Sequence, residues 1–195
     1  MAYIGATPTG VPLTASDFES GVIDGKNTIW IPAVAMYGNT TNGADAQQVE
    51  LTATQPELKV LDFDASTKEY AQFAVAFPKS WNEGTITFQV YFTANSTNTG
   101  NAIFGLQAVS ASDNDAIDSA FGTAQEVTKA HSGTANDLNV SSESSLVTIA
   151  GTPAEADQIL FQVYRDAADG SDTLTADARL LGIKIFFTTD AANDA

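Results

Sequence analysis

Residues 85–93 read Thr85-Ile86-Thr87-Phe88-Gln89-Val90-Tyr91-Phe92-Thr93, and they indicate the fold class most directly. The large apolar side chains in this stretch stand two residues apart and alternate with mostly polar ones: Ile86, Phe88, Val90 and Phe92. Side chains of an extended chain point alternately to two faces, so these four groups share one face. The stretch is therefore predicted to be a β-strand that covers a core.

Three further segments repeat this period of two. The residues that share a face are Phe73, Val75 and Phe77 in 70–77, Ile159, Phe161 and Val163 ahead of Tyr164-Arg165-Asp166, and Leu181, Ile183, Ile185 and Phe187. Weaker strand candidates are 28–36, 49–54, 58–63, 103–109, 126–128, 137–141 and 146–150. Residues that favour turns separate them, as in 38–43, 95–101 and 169–172.

Helical periodicity is almost absent. The best candidate is the short segment 113–121, in which Ala116, Ile117, Ala120 and Phe121 form one predicted buried stripe. Many short strands with polar turns predict an all-β fold built as an antiparallel β-sandwich. About eight to ten strands fit a jelly-roll-like sandwich better than a seven-stranded immunoglobulin sandwich.

The 195 residues are enough for one sizeable domain and too few to favour two. We expect a sandwich domain over 26–190 and a polar tail over 191–195. Residues 1–25 are rich in Gly, Thr and Pro, and their apolar residues are isolated, which predicts an extended N-terminal arm for attachment. The apolar residues of this arm are Tyr3, Ile4, Val11, Leu13 and Phe18.

The composition excludes some sites and disfavours some partners. Because the chain has no cysteine, it has no disulfide, no thiolate metal site and no cysteine nucleophile. The net charge of −16 repels phosphate backbones and anionic lipids over a Debye length of about 8 Å. We therefore expect neither nucleic acid nor a membrane as a partner. The amino terminus lacks the features of a cleaved signal peptide, so we expect synthesis inside a cell without such export.

Patterns typical of catalysis are weak. His131 is the single histidine, and since a lone ligand cannot hold zinc, we interpret it as an ordinary surface residue of a loop. The chain contains no Gly-x-Ser-x-Gly elbow, phosphate loop or dinucleotide fingerprint. We interpret the acids within strand-like segments as solvated residues rather than as a glycosidase pair: Glu50, Asp62, Asp64 and Asp166. A protein that is not an enzyme and has no cofactor is expected.

Two acidic turns carry the oxygen ligands that calcium prefers. They are residues 112–115 with Asp118, and Asp166 with Asp169 and Asp172. Neither matches the twelve-residue calcium loop, so capping of the turns by Asp and Asn is the favoured interpretation and no metal site is predicted.

The two tryptophans allow two interpretations. Trp30 stands between Ile29 and Ile31 and therefore points to the opposite face from both. Trp81 lies in the predicted turn 78–84 between the two strongest strands. We favour packing of both rings over the ends of the sandwich or in a subunit contact; the alternative is a platform on which sugar rings stack.

The sequence also resembles proteins of tailed bacteriophages. Met1-Ala2-Tyr3-Ile4-Gly5 with the following Thr7-Pro8 is similar to the start of tail-fibre-like proteins. The stretches 61–73, 78–85 and 176–190 resemble a group of small phage virion proteins. This resemblance implies a virion component on the particle exterior, assembled as a homotrimer of β-sandwiches and without catalytic residues.

A fibre would continue into a long repetitive shaft, so we favour a capsid decoration or cement protein that binds the major capsid protein outside the head. The contact residues we expect are Tyr3, Ile4, Val11, Leu13 and Phe18, with Trp30, Tyr70 and Trp81 as second contacts. The alternative is a tail or head-fibre module that binds host glycans, and glycan cleavage is the least favoured interpretation.

Overall fold

A computed structural model describes residues 25–191 and 194. The described residues form eleven strands and a single 3₁₀ turn at Ala33–Ala35. The strands are β1 (Gly25–Pro32), β2 (Tyr37–Gly38), β3 (Asp45–Glu50), β4 (Glu57–Phe63), β5 (Lys68–Val75), β6 (Thr87–Thr93), β7 (Asn101–Ala111), β8 (Gln125–Ala130), β9 (Asn139–Val140), β10 (Gln158–Asp166) and β11 (Ala178–Thr189). No helix in this part of the chain is long and apolar enough to cross a bilayer.

The strands form two sheets, and all the paired strands are antiparallel. The first sheet has the order β3-β4-β11-β6-β9, and β1 also pairs with β11. The second sheet has the order β2-β5-β10-β7-β8. The chain from β4 to β11 places its eight strands four in each sheet, as a jelly roll does. The predicted antiparallel, jelly-roll-like sandwich is confirmed.

The core lies between the two sheets and follows the predicted period of two. Phe88, Val90 and Phe92 on β6 are fully buried, as are Ile159, Phe161 and Val163 on β10. Phe92 of the first sheet packs against Phe104 of β7 in the second sheet, with ring centroids 5.5 Å apart. Alternating apolar residues from both sheets therefore interdigitate in one core.

The alternation in the last strand differs from the prediction at one residue. Leu180 is buried, whereas Leu181, expected inside, is only half-buried. The pairing of β11 with β6 shifts its register between Leu180 and Gly182, which is a β-bulge. A bulge adds one residue to one strand. Before the bulge the inward-facing residue is therefore Leu180 rather than Leu181, and after it the period of two resumes at Ile183.

Three other predictions of secondary structure were wrong in whole or in part. The strand expected over 49–54 lies earlier, as β3, and 51–54 form a turn. Segment 113–121 forms turns rather than a helix, and Ala116, Ile117 and Ala120 are exposed, so no packing partner supports a helical stripe. The strand expected over 146–150 is reduced to single bridges, Ile86 with Val147 and Val109 with Ala150. Its inward residues Val147 and Ile149 are nevertheless buried.

A buried ion pair fixes one end of the sandwich. The guanidinium of Arg165, which is 0% exposed, donates to Asp172 through Nε at 3.1 Å and through Nη2 at 2.9 Å. It also donates to the carbonyl oxygens of Leu174, Ala176 and Phe63. Asp172, considered above as a calcium ligand, is therefore used to hold an arginine.

Candidate functional site

The predicted contact residues that the structure describes do not lie together. The arm residues Tyr3, Ile4, Val11, Leu13 and Phe18 lie outside the described residues. Trp30 is 45% exposed on the outer face of the first sheet. Tyr70 is half-buried on the outer face of the second sheet. These two residues are therefore on opposite faces of the sandwich and do not share a surface.

Trp81 is the contact residue that the structure contradicts. It is 1% exposed and stacks on Phe77, with ring centroids 4.4 Å apart. The ring belongs to the core because the segment 78–84 folds back over the end of the sandwich, where Trp81 bridges to Thr189. It cannot contact a partner or a sugar from this position, and the packing interpretation of Trp81 holds.

His131 is also placed differently from the prediction. It is buried rather than on the surface, and its Nδ1 lies 2.8 Å from the carbonyl oxygen of Asn98. Its Nε2 has no hydrogen-bond partner among the described residues. The side chain holds two loops together rather than facing solvent.

The acidic turns behave as caps. Asp115 accepts a hydrogen bond from the Ser112 backbone N–H at 3.1 Å, and Asp169 accepts one from the Ser171 N–H at 2.7 Å. The Asp169 bond is the pattern typical of Asp-containing turns, and the Asp115 bond is a side-chain to backbone bond that spans three residues of its own turn. No group of three or more His, Asp or Glu residues that could hold a metal ion occurs within 25–191.

Asp62 and Glu69 are two further acids with raised pKa values. Burial raises the pKa of Asp62, in spite of Arg179 at 3.5 Å. Burial also raises the pKa of Glu69, which accepts a hydrogen bond from the Asp64 backbone N–H. The charges of Asp45 and Asp177 add to the rise in pKa at both acids.

The best candidate site is the outer face of the first sheet, which we call the tryptophan face. It consists of Trp30 and Thr28 of β1, Lys184, Phe186 and Gly182 of β11, and Gln89 and Tyr91 of β6. The register places Trp30 opposite Lys184, and Lys184 opposite Gln89. The next row places Gly182 opposite Tyr91. The face therefore carries three aromatic rings, two amide or hydroxyl side chains and a lysine.

Trp30 and Tyr91 meet although a whole strand lies between them. Their ring centroids are 5.0 Å apart with an interplanar angle of 82°, an edge-to-face contact. This approach is allowed because Gly182 on the intervening strand has no side chain. A Cβ there would lie 2.5 Å from Cζ2 of Trp30 and 2.6 Å from the carbonyl oxygen of Ile31. The glycine thus lets the indole lie across the strand.

Positive charge lies beside the rings of this face. Lys184 Nζ is 5.5 Å from the Tyr91 ring centroid, and Lys26 Nζ is 4.9 Å from that of Phe186. Lys26 also pairs with Glu143, whose pKa is lowered by hydrogen bonds from Lys26 and Thr87. Lys184 has no carboxylate within ion-pair distance among the described residues. Lys184 is therefore the unpaired lysine beside the rings of the tryptophan face.

A substitution at Gly182 tests this geometry. Gly182→Ala is expected to displace the Trp30 ring and to lower the free energy of unfolding by about 1–3 kcal/mol, the cost of overpacking. Thermal unfolding and near-ultraviolet circular dichroism would measure the two effects. Gly170→Ala is the matched control, because a Cβ at Gly170 meets nothing within 4 Å. Equal stability of the two variants would contradict the close contact.

Comparisons with known proteins give structural similarity only. No family model matches the chain, and no curated protein does. Among solved structures, a CBM35 from Cellvibrio japonicus Abf62 has a TM-score of 0.48 at 9% identity, over 87% of this chain and 100% of that one. A family 35 carbohydrate binding module from Clostridium thermocellum has a TM-score of 0.47 at 10% identity, over 82% and 97%. The CBM36-1 domain of a multidomain xylanase from the hindgut metagenome of Trinervitermes trinervoides has a TM-score of 0.45 at 14% identity, over 82% of this chain and 96% of that one.

Proposed function

We propose that this domain is a non-catalytic carbohydrate-binding module, and that the tryptophan face is its binding surface. The observation that carries the proposal is the exposed Trp30 ring, held against Tyr91 over the bare backbone of Gly182. Aromatic rings that lie together on an exposed sheet face offer a platform with an apolar body for a ligand. A pyranose ring is such a ligand, because its apolar face stacks on an aromatic ring while its hydroxyl groups point outward.

Polar groups around the two rings fit the outward-facing hydroxyls. Gln89 and Lys184 lie in the same row as Trp30, and Thr28 lies one row away. Amide, ammonium and hydroxyl groups supply both donors and acceptors to a polyhydroxylated ligand. The rings would contribute affinity, and these groups would contribute orientation.

We therefore favour the glycan-binding alternative over the prediction of a capsid decoration protein. The resemblance to virion proteins is compatible with it, since a virion surface protein that binds a glycan would bind the host surface. Attachment to the major capsid protein through residues 1–25, the homotrimer and the position outside the head stay predictions. If the chain is a decoration protein attached through its arm, deleting residues 1–20 should leave a folded domain that no longer binds phage heads. Retained binding to heads would contradict attachment through the arm.

The test of the proposal uses the full chain. Wild-type protein is applied to an array of neutral and acidic oligosaccharides, and the strongest ligand is then titrated by calorimetry. We expect Trp30→Ala to weaken the Kd at least about tenfold, because a central tryptophan contributes about 2 kcal/mol to an interface. The melting temperature should change by less than about 4 °C, the effect of roughly 1 kcal/mol.

Ile117→Ala is the matched control, since Ile117 is an exposed large apolar residue in the loop 112–121, outside the tryptophan face. It should leave the Kd unchanged. Tyr91→Phe, which keeps the ring, should also retain binding. Absence of binding to every glycan on the array, or an unchanged Kd for Trp30→Ala, would reject the proposal.

A further inference from the structure

The outer face of the second sheet carries a different set of side chains. The register aligns four residues in one row across four strands: Tyr37 of β2, Gln72 of β5, Gln162 of β10 and Gln107 of β7. We call these four residues the glutamine row. Tyr37 is 59% exposed, Gln72 and Gln107 are half-buried, and Gln162 is 8% exposed. The row therefore begins at an exposed ring and continues as three neighbouring amides.

The amides of this row are only partly used within the protein. Gln107 Nε2 donates to Gln162 Oε1 at 2.7 Å, which fixes both side chains. This bond leaves the Gln162 amino group as a donor and the Gln107 carbonyl as an acceptor. Gln72 makes no side-chain hydrogen bond with any described residue, so it offers both a donor and an acceptor. Adjacent strands are about 4.8 Å apart, so the row presents polar groups at regular steps.

The row next to the glutamine row contains Tyr70, Tyr164 and Gly105. The Tyr164 ring lies over Gly105, where a Cβ would be 2.2 Å from Cζ of the ring, and its hydroxyl donates to Glu126 at 2.8 Å. Burial, followed by the Glu126 acceptor, raises the pKa of Tyr164 above its usual value. Tyr70 packs beside the Tyr164 ring at 5.8 Å. The rings of Tyr70 and Tyr164 therefore lie together in the row beside the amides.

Lys68 near the row is paired with a carboxylate, whereas the exposed Glu126 in the neighbouring row has no ion-pair partner among the described residues. Lys68 Nζ lies 3.9 Å from the Tyr164 ring centroid and 2.5 Å from Asp166 Oδ2. The glutamine row itself has no charged member in a chain of net charge −16. An anionic polymer would meet repulsion from the rest of the surface, whereas a neutral ligand would not.

We infer that the glutamine row is a second binding site, and that its ligand is a neutral oligosaccharide running across the strands from Tyr37 to Gln107. The amides bond to the hydroxyl groups, and Tyr37 stacks on one sugar ring at the exposed end. Since the two outer faces are on opposite sides of the sandwich, one domain then binds two glycan chains. This site does not require the tryptophan face to bind.

The experiment is a titration of the full ¹⁵N-labelled chain with cellohexaose, xylohexaose and mannohexaose, followed by ¹H–¹⁵N correlation spectra. Glutamine side-chain amides and tryptophan indole N–H groups appear separately, so the two faces are observed at once. The single variants Gln72→Ala, Gln162→Ala and Trp30→Ala assign the signals. The indole of the buried Trp81 is an internal reference that should not move.

We expect at least one hexasaccharide at millimolar concentration to shift the Gln72 and Gln162 amide signals, in wild type and equally in Trp30→Ala. Gln72→Ala should weaken this response at least about fivefold in Kd, an effect of roughly 1 kcal/mol for one hydrogen-bonding group. Gln47→Ala, at an exposed glutamine of the edge strand β3, is the matched control and should change nothing.

The outcomes separate the two proposals. Glutamine amides that stay unmoved by all three hexasaccharides, or that move only while Trp30 is present, would overturn the second site. If the glutamine amide signals shift while the Trp30 indole signal does not, the second site is supported and the result counts against binding at the tryptophan face. Independent responses of the amides and the indole would support both sites.

Discussion

Replacing Arg165 with methionine is expected to lower the free energy of unfolding by about 3–5 kcal/mol, the cost of breaking a buried ion pair. For a chain of this length the melting temperature should fall by roughly 6–20 °C. The loss is large because Arg165 and Asp172 have side chains only 0% and 1% exposed. Removal of the guanidinium leaves a buried carboxylate with only the Ile103 N–H as its donor and takes the arginine donor from three backbone carbonyl oxygens.

The measurement is thermal and urea unfolding of Arg165→Met beside a matched variant, Lys68→Met. Lys68 also pairs with a carboxylate, Asp166, but its side chain is 31% exposed, so its loss should cost less than about 1 kcal/mol. The double variant Arg165→Met, Asp172→Leu should regain part of the stability, because no unpaired charge is then buried. A cost for Arg165→Met as small as that for Lys68→Met would show that the pair does not hold the sandwich end.

The sandwich could be predicted from the sequence because its signal is local. Each core strand repeats apolar residues two apart, as Phe88, Val90 and Phe92 do, and this pattern needs no knowledge of a partner strand. The same rule placed Trp30 on the face opposite Ile29 and Ile31, where the structure has it. Local periodicity was therefore sufficient for the fold class and for the orientation of one candidate residue, Trp30.

Features that depend on distant partners were missed. The period of two puts Arg165 on the same inward face as Val163, but only the loop that brings Asp172 back makes a buried arginine stable. The bulge at Leu181 and the role of Gly182 depend on pairing with β6 and on the Trp30 ring. The glutamine row likewise exists only after β2, β5, β10 and β7 are placed side by side. A glycine in the last apolar strand was the one local signal of a close approach.

The second large effect is expected at the other tryptophan. Trp81→Ala should lower the free energy of unfolding by about 3–5 kcal/mol, because it removes a fully buried ring and leaves a cavity against Phe77. The Trp81→Phe variant should cost much less, since it keeps a ring and removes an indole N–H that has no partner among the described residues. Chemical unfolding of the three proteins measures the difference.

The alanine variants of the two tryptophans are expected to have opposite effects on stability and on binding. Trp81→Ala, assayed below its unfolding temperature, should bind glycans with the wild-type Kd, whereas Trp30→Ala should unfold almost as wild type and bind at least about tenfold more weakly. The reason is that Trp30 is 45% exposed, whereas Trp81 is 1% exposed. If Trp81→Ala lost binding while keeping its melting temperature, the ring would have to face a ligand, and the core packing described for it would be wrong.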